Sequence, residues 1–553
     1  MSKKGLLTPF GEGADLLWEE YPRPSLVRDS FIDLNGEWEL KSGNGACKIR
    51  VPFSPESMLS GVELDVTEAL EYKRRFLVPD GFNRGRILIH FGAVDTEARV
   101  YINGIEAGEH TGGYNAFFFD ITEFVNIGEN EITVRVLDTL DKELPYGKQS
   151  RRRGGMWYTK ISGIWQSVFI ESVPDEYIER LEITPSLDGI LLKIVGNIAD
   201  ECEKTLEYEG GVVKFFGDSL SLAVENGEYW TPENPRLYEF TLTAGEDKVC
   251  SYFALRTVST EGGRLLLNGK PYFFHGLLDQ GYYSDGIYTP ASSDGYKYDI
   301  LLAKKLGFNM LRKHIKVEPD IFYYYCDKYG IAVFQDFVNS GKYNFFIDTV
   351  LPTVAFKRGI SHKATPYRRK MFETCAEETV KALYNHPSVV YYTIFNEGWG
   401  QYDADKLYKK FKALDSTRIY DATSGWFFEN ESDVDSHHVY FKKLKLKKGE
   451  RPLVLSEFGG YSVSIDGHRF NEKKTYGYKI FKTPKEFEDA LVRLYEDEVV
   501  PLVRHGLSAS VLTQLSDVED ETNGLVTYDR RVVKVTKDKM LHIRELINEA
   551  FDS

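Results

Sequence analysis

Two apolar runs in this 553-residue chain each stop abruptly at a glutamate. Val389-Val390-Tyr391-Tyr392-Thr393-Ile394-Phe395 leads into Asn396-Glu397-Gly398-Trp399-Gly400-Gln401. Leu453-Val454-Leu455 leads into Ser456-Glu457-Phe458-Gly459-Gly460. A carboxylate closing a buried strand is costly unless it meets solvent or a partner, so each belongs at an open rim. Two carboxyl groups at one site are the equipment of glycoside hydrolysis. One donates and takes back a proton; the other attacks the anomeric carbon or activates a water. The glycines that follow let a ligand approach the backbone. Trp399 offers either a face for a sugar ring or a core plug beneath the loop.

The elements that must position these groups follow from the pattern. Residues 1–173 read as antiparallel β, with alternating runs such as Glu131 to Val136 and turn signals such as Asn103-Gly104, which fit a jelly-roll sandwich. Residues 174–258 continue with short strands and fit a small immunoglobulin-like sandwich. From residue 259 onward, strands alternate with amphipathic helices. Helices are expected over Ser293 to Leu306, Pro319 to Tyr329, Pro366 to Tyr384 (with Thr365 as N-cap) and Pro484 to Arg504. Repeated βα units over this length fit a (β/α)8 TIM barrel with its site at the C-terminal strand ends. The two glutamates then end the fourth and seventh strands.

Other expected strand-end residues are candidates for holding a sugar. His275 and Asp279 follow the first strand, placed at Tyr272 to His275; Arg312 and His314 follow the second, and Asp336 the third. Trp426 follows the fifth, His438 belongs to the sixth, and Gln514 with Asp517 ends the eighth. A histidine bonded to a backbone group would look the same. Aromatic residues make up 14% of the chain. Tyr282, Tyr283, Trp399, Trp426, Phe458 and Tyr461 are expected in the cleft, with Trp157 and Tyr158 reaching over from the first domain.

Composition narrows the partners. The formal charge of −15 argues against nucleic acid, and no window of 18 apolar residues spans a membrane. Five scattered cysteines suggest neither a disulfide framework nor a zinc site. Met1 to Phe10 lacks the apolar run of a secretory leader, so a cytoplasmic location is expected. No metal or other cofactor is expected, since none of the Asp and His candidates has helix-spaced ligand geometry.

The residues resemble glycoside hydrolase family 2, the family of β-galactosidases, β-glucuronidases and β-mannosidases. Gly154-Gly155-Met156-Trp157 with Ser162-Gly163-Ile164-Trp165 is similar to the end of its sugar-binding domain. Leu266-Leu267-Asn268-Gly269-Lys270-Pro271, Gly307-Phe308-Asn309-Met310-Leu311-Arg312 and Cys326-Asp327-Lys328-Tyr329-Gly330 resemble its barrel entry, strands and helices. The resemblance implies a retaining double displacement with Glu397 as acid/base, Glu457 as nucleophile and Asn396 on the sugar 2-hydroxyl. The carboxyl groups should then lie about 5–5.5 Å apart. Family members often form dimers or tetramers, so the resemblance allows a homo-oligomer without fixing the oligomeric state.

The sugar is less clearly marked. The family's β-glucuronidases grip the substrate carboxylate with Asn-x-Lys before a Gly-[aliphatic]-x-Thr-x-Asp-Arg run. Here Glu521-Thr522-Asn523 precedes Gly524-Leu525-Val526-Thr527-Tyr528-Asp529-Arg530. Glu521 would repel a uronic acid, so a neutral, β-galactosidase-like specificity is expected. The alternatives are β-glucuronidase, α-L-arabinopyranosidase or β-mannosidase activity, transglycosylation, and a non-catalytic carbohydrate-binding protein.

Overall fold

The structure is a computed structural model that describes residues 5–553 except 14–17, 44, 67–68, 345, 347, 349–361 and 441. The first sandwich packs a six-stranded antiparallel sheet on a four-stranded one. In the strand Gly36–Ser42 buried and exposed residues alternate, so Trp38 and Leu40 meet Tyr72, Val100 and Val134 in one core. The second sandwich pairs a three-stranded with a four-stranded sheet around Leu192, Leu206 and Leu242.

Eight parallel strands form the barrel: β1 (Phe274–Asp279), β2 (Met310–Lys313), β3 (Ala332–Asp336), β4 (Val389–Thr393), β5 (Ile419–Asp421), β6 (Asp435–Val439), β7 (Leu453–Gly459) and β8 (Leu507–Thr513). They pair in sequence order with β8 beside β1, and the ring opens only between β5 and β6. A bond from Asp433 N–H to the Tyr420 carbonyl (2.9 Å) bridges that seam. Strand alternation separates two layers. Phe274, Leu278, Met310, Phe334 and Val511 fill the interior, whereas Leu277, Leu311 and Val333 pack outward on the helices. An antiparallel hairpin, Val258–Glu261 with Arg264–Leu267, plugs the barrel floor with Leu265 and Leu267.

Helix ends follow their sequence signals. α1 (Ser293–Lys305) and α2 (Asp320–Tyr329) flank β2, and α2 stops at Gly330, which adopts the left-handed φ of +72°. α3 (Pro366–Leu383) begins at Thr365, whose hydroxyl accepts from Arg368 N–H. α4 (Ala404–Leu414) follows β4. The helix expected over Pro484 to Arg504 is interrupted: α5 (Pro484–Leu494) widens into a π turn at Tyr495–Val499 before α6 (Val500–Arg504). Pro501 explains this, because it lacks an N–H and its ring crowds the carbonyl four residues earlier. α7 (Lys537–Asp552) closes the chain. The first barrel strand lies at 274–279, two residues beyond the expected start at Tyr272.

The first sandwich is docked on the barrel mouth. Tyr146 N–H donates to the Asn339 carbonyl (3.0 Å) and its hydroxyl to the Gly341 carbonyl (2.8 Å). Thr159 N–H donates to Glu519 (2.7 Å), and Thr289 donates to the Trp165 carbonyl (2.6 Å). The loops between Tyr146 and Trp165 therefore form one wall of the cleft.

The floor hairpin should be a stability determinant. Leu265 is fully buried among the interior residues, so Leu265→Ala should cost about 2–5 kcal/mol. Urea unfolding followed by circular dichroism should show a lowered midpoint at constant slope. An unchanged midpoint would mean that the hairpin does not support the barrel.

Candidate active site

Arg312 points inward from β2, and its guanidinium reaches three other strands. Nε donates to Asp336 Oδ1 on β3 (2.9 Å) and Nη2 to Asn396 Oδ1 beyond β4 (2.8 Å). Nη1 donates to the Ser456 carbonyl (2.9 Å) and to Glu457 Oε1 (3.1 Å) on β7. Burial opposes this cation, but the charges of Asp336 and Glu457 outweigh it and keep Arg312 protonated. Burial likewise opposes the Asp336 carboxylate, and Arg312 with His314 holds it below its ordinary value. His314 Nδ1 lies 2.7 Å from Asp336 Oδ2 and 4.0 Å from Glu457 Oε1.

Glu397 enters the same space from the turn after β4. Its backbone has the left-handed φ of +54°, which costs energy in a non-glycine residue. The Glu397 N–H is fixed by the Ser424 carbonyl (2.8 Å). A non-glycine residue held in this way is the kind of local strain that marks functional turns. Burial pushes the Glu397 carboxyl above its ordinary value, against the opposing charges of Lys148, His314 and Arg312.

His438 on β6 connects the two acids. Its Nδ1 lies 2.9 Å from Glu397 Oε1 and 3.5 Å from Glu457 Oε2. Its Nε2 faces Arg312 Nη1 at 3.3 Å. A guanidinium only donates, so Nε2 accepts and Nδ1 carries the proton. Burial drives the His438 pKa down to about 3, which keeps the ring neutral. Tyr440, two residues on, donates its hydroxyl to Glu457 Oε2.

One ligand atom from each of Glu397, His438 and Glu457 lies within 4.8 Å of the others, the one such trio among the described residues. As arranged, Nδ1–H points at Glu397, so metal ligation by that atom would need the ring to exchange its tautomer and give up the Arg312 contact. The same figure places carboxylate oxygens of the two glutamates within 4.8 Å.

The aromatic wall comes from two domains. Trp399 is buried, donates to the Gly341 carbonyl (2.9 Å) and meets the half-buried Trp157 edge-on at 5.0 Å. Trp426 lies edge-on to His438 at 5.6 Å, and its Nε1 has no hydrogen-bond partner among the described residues. Tyr158 is fully buried and donates to Glu521 Oε2. Gln514 Nε2 bonds Asn523 Oδ1 (2.6 Å) and Glu521 Oε2 (3.3 Å).

Three expected sugar contacts do not face this space. His275 and Asp279 sit on the outward face of β1, in register with the helix-facing rather than the interior residues. His275 packs on Phe308 and bonds Tyr495 (3.1 Å); Asp279 pairs with Lys313 (2.6 Å). Asp517 pairs with Lys534 (2.6 Å) and accepts from Gly524 N–H (2.8 Å), tying a loop together. Of the aromatics expected in the cleft, Tyr283 bonds Asp299, Phe458 packs in the helix-facing core, Tyr461 packs against Phe481, and Tyr282 fills the domain junction beside Tyr158. Conversely, Tyr440 and Lys148 were not anticipated. Tyr440 shares alternation with His438 and was legible by that parity; Lys148 carried no local signal.

Comparison with known proteins agrees with this architecture. The profile "Glycosyl hydrolases family 2, sugar binding domain" matches residues 25–174, and "Glycosyl hydrolases family 2, TIM barrel domain" matches residues 258–540. The chain belongs to glycoside hydrolase family 2. This family 2 enzyme is therefore a glycosidase that hydrolyses O-glycosyl bonds. It is 25% identical to the human β-glucuronidase over 524 residues, covering 81% of this chain and 74% of that one. It is 23% identical to a Priestia megaterium β-galactosidase, covering 70% of this chain but 40% of that longer protein. A β-D-glucuronidase structure from Dictyoglomus thermophilum shares the fold with a TM-score of 0.75 at 21% identity, covering 96% and 98% of the two chains.

Removing the central cation should be costly. Arg312→Met strands buried Asp336 and Glu457 and should destabilise the enzyme by about 3–5 kcal/mol near neutral pH. In the wild type, Asp336 is held low, so its contribution is present at neutral pH and fades as pH falls. In the variant, burial pushes Asp336 up once its main counter-charge is gone, and low pH relieves it by protonation. Both effects shrink the difference, the variant's relief coming first and the wild type's loss only below the ordinary carboxylate value, so urea melts of the two proteins should draw steadily together as pH falls. A gap that widens on acidification would contradict the assignment.

Proposed function

We propose that this enzyme releases a terminal β-linked sugar with retention of configuration, with Glu397 as acid/base and Glu457 as nucleophile. The observation that carries this reading is the approach of their carboxylate oxygens to within 4.8 Å. That spacing supports direct attack, whereas inverting enzymes keep their carboxyl groups about 6.5–9.5 Å apart to admit a water.

The surroundings divide the labour. Glu457 accepts from two donors, Arg312 Nη1 and the Tyr440 hydroxyl, which fix its carboxylate for attack. Its attack on the anomeric carbon forms a glycosyl ester while Glu397 protonates the leaving oxygen. Desolvation of Glu397 supports that acid role by favouring its neutral form. His438 Nδ1–H donates to Oε1, which assigns the transferred proton to Oε2. In the second half-reaction Glu397 takes a proton from water, and the resulting hydroxide equivalent displaces Glu457. Asn396, oriented by Arg312, is suited to bond the sugar 2-hydroxyl, a contact that strengthens as positive charge develops at the anomeric carbon.

Two sugar classes compete. Glu521 led the sequence towards a neutral galactoside, while relatives named β-glucuronidase match at least as well as those named β-galactosidase. The names support β-linkage in either case.

Glu457→Ala should lower kcat by at least about 1,000-fold in a folded protein. For the wild type, kcat/KM should fall as pH rises through the elevated Glu397 pKa, because the acid form is consumed. Glu397→Gln should abolish that alkaline limb while sparing aryl glycosides with good leaving groups. Full activity of Glu457→Ala on a panel of nitrophenyl β-glycosides would end the assignment.

A further inference from the structure

The chain that leaves β5 runs alongside the turn that carries Glu397. Ser424 N–H donates to the Phe395 carbonyl (2.7 Å), and the Ser424 carbonyl accepts from Glu397 N–H (2.8 Å). The β4–β5 pairing therefore continues past both strand ends, with Asn396 bridged to Ser424. Two glycines permit so close a path. A side chain at Gly425 (φ +107°) would strike the His438 ring, and one at Gly398 (φ +71°) would strike Phe427. Trp426 is thereby held beside the acid/base and its histidine. Its ring meets His438 edge-on with centres 5.6 Å apart. Its indole N–H is buried and has no hydrogen-bond partner among the described residues. Burial lifts the Glu397 carboxyl, and this N–H is among the groups that draw it back down. An indole nitrogen can only donate, so Trp426 holds a donor without an acceptor next to Glu397.

Glu397 changes charge twice in each turnover. As an acid it is neutral, with Oε1 facing His438 Nδ1–H (2.9 Å). Once its proton has left, it is a carboxylate in a site poor in water, where one donor fills little of its acceptor capacity. Charged and titratable groups face it from every side. Arg312 and His314 come from β2, Glu457 from β7, and His438 from β6 with Tyr440 just beyond. Tyr476 and Tyr478 come from the loop after β7, and Lys148 from the first sandwich. Arg312 is committed to Asp336, Asn396, Ser456 and Glu457, and Tyr440 to Glu457. Trp426 is neutral and uncommitted. A donor idle while Glu397 is protonated, and engaged as charge appears, favours the transition state over the ground state.

Resting on the retaining reading above, we propose that Trp426 is a positioning residue for the acid/base, and that its indole N–H closes onto the Glu397 carboxylate as the proton passes to the leaving group. In the first half-reaction the Oε2–H bond of Glu397 breaks and its proton goes to the glycosidic oxygen. The electrons of the anomeric C–O bond leave with that oxygen, and a Glu457 oxygen bonds the anomeric carbon. The indole keeps its own proton throughout and gains an anionic acceptor. In the second half-reaction Glu397 takes a proton from water, and the contact loosens again. Trp426 thus serves the acid rather than binding the sugar, the role expected of it from its place at a strand end.

The test compares wild type with Trp426→Phe, which keeps an aromatic ring and deletes the N–H, on phenyl and 2,4-dinitrophenyl β-glycosides across pH. Thermal melts establish folding. For the phenyl glycoside, which needs an acid, kcat/KM should fall about 10–100-fold, the worth of one hydrogen bond to a charged group. The dinitrophenyl glycoside, whose leaving group needs none, should be largely spared. The alkaline limb of kcat/KM should move to higher pH, because the anion of Glu397 has lost a donor. Water admitted by a merely structural defect would relieve the desolvation of Glu397 and move that limb to lower pH, which would overturn the proposal. A raised KM on both substrates with the limb unmoved would also overturn it and assign the N–H to the sugar. Carbon-13 NMR of carboxyl-labelled glutamate, with Glu397→Gln to assign the resonance, reads the same titration without turnover. A Glu397 titration moved up in Trp426→Phe supports the proposal even if no glycoside is cleaved, the outcome that would instead defeat the hydrolase reading; an unmoved titration overturns it. If Trp426→Phe does not fold, benzothienylalanine placed at position 426 removes the N–H while keeping the bicyclic shape, and the same two outcomes apply.

Discussion

Placing two carboxylates close together at the mouth of an apolar barrel requires a cation that cannot move or lose its proton, and Arg312 supplies it. Its planar fork bonds Asp336, Asn396, the Ser456 carbonyl and Glu457 at once. A lysine could neutralise charge but could not hold several acceptors in fixed directions. The backbone of β2 sets the guanidinium, the guanidinium sets Asn396 and Glu457, and His438 passes that orientation on to Glu397.

The asymmetry between the two glutamates follows from this arrangement. Glu457 receives Arg312 and Tyr440 directly, whereas Glu397 is reached by a neutral histidine and is lifted by burial. Environment, not residue type, distinguishes the two carboxyl groups here. The first sandwich contributes to the same balance. Its docked loops deliver Trp157, Tyr158 and Lys148, so the cleft is built jointly and the barrel alone would lack one wall.

Much of this was legible in the sequence because it rests on local pattern. Strands that end in Asn396-Glu397 and Ser456-Glu457 announced the rim, and Arg312, His314, Asp336 and His438 converge with them as expected. Two of the failures share one cause: chain position at a strand end does not say which face a side chain takes. His275 and Asp279 fall on the odd, outward face of β1, a parity that the two-residue shift in the strand's start leaves unchanged. Asp517 lies beyond β8, where loop pairing with Lys534 rather than strand geometry decides its direction. Lys148 was illegible for a different reason: its burial arises only when a loop of one domain meets another, and no short window of sequence encodes that contact.

The central claim is that Glu397 and Glu457 act as a retaining pair at a separation too short for an intervening water. Proton NMR of the first product released from a 4-nitrophenyl β-glycoside, recorded before mutarotation, tests it most directly. The account predicts that the β-anomer appears first and the α-anomer grows in only by mutarotation. Initial release of the α-anomer would contradict it.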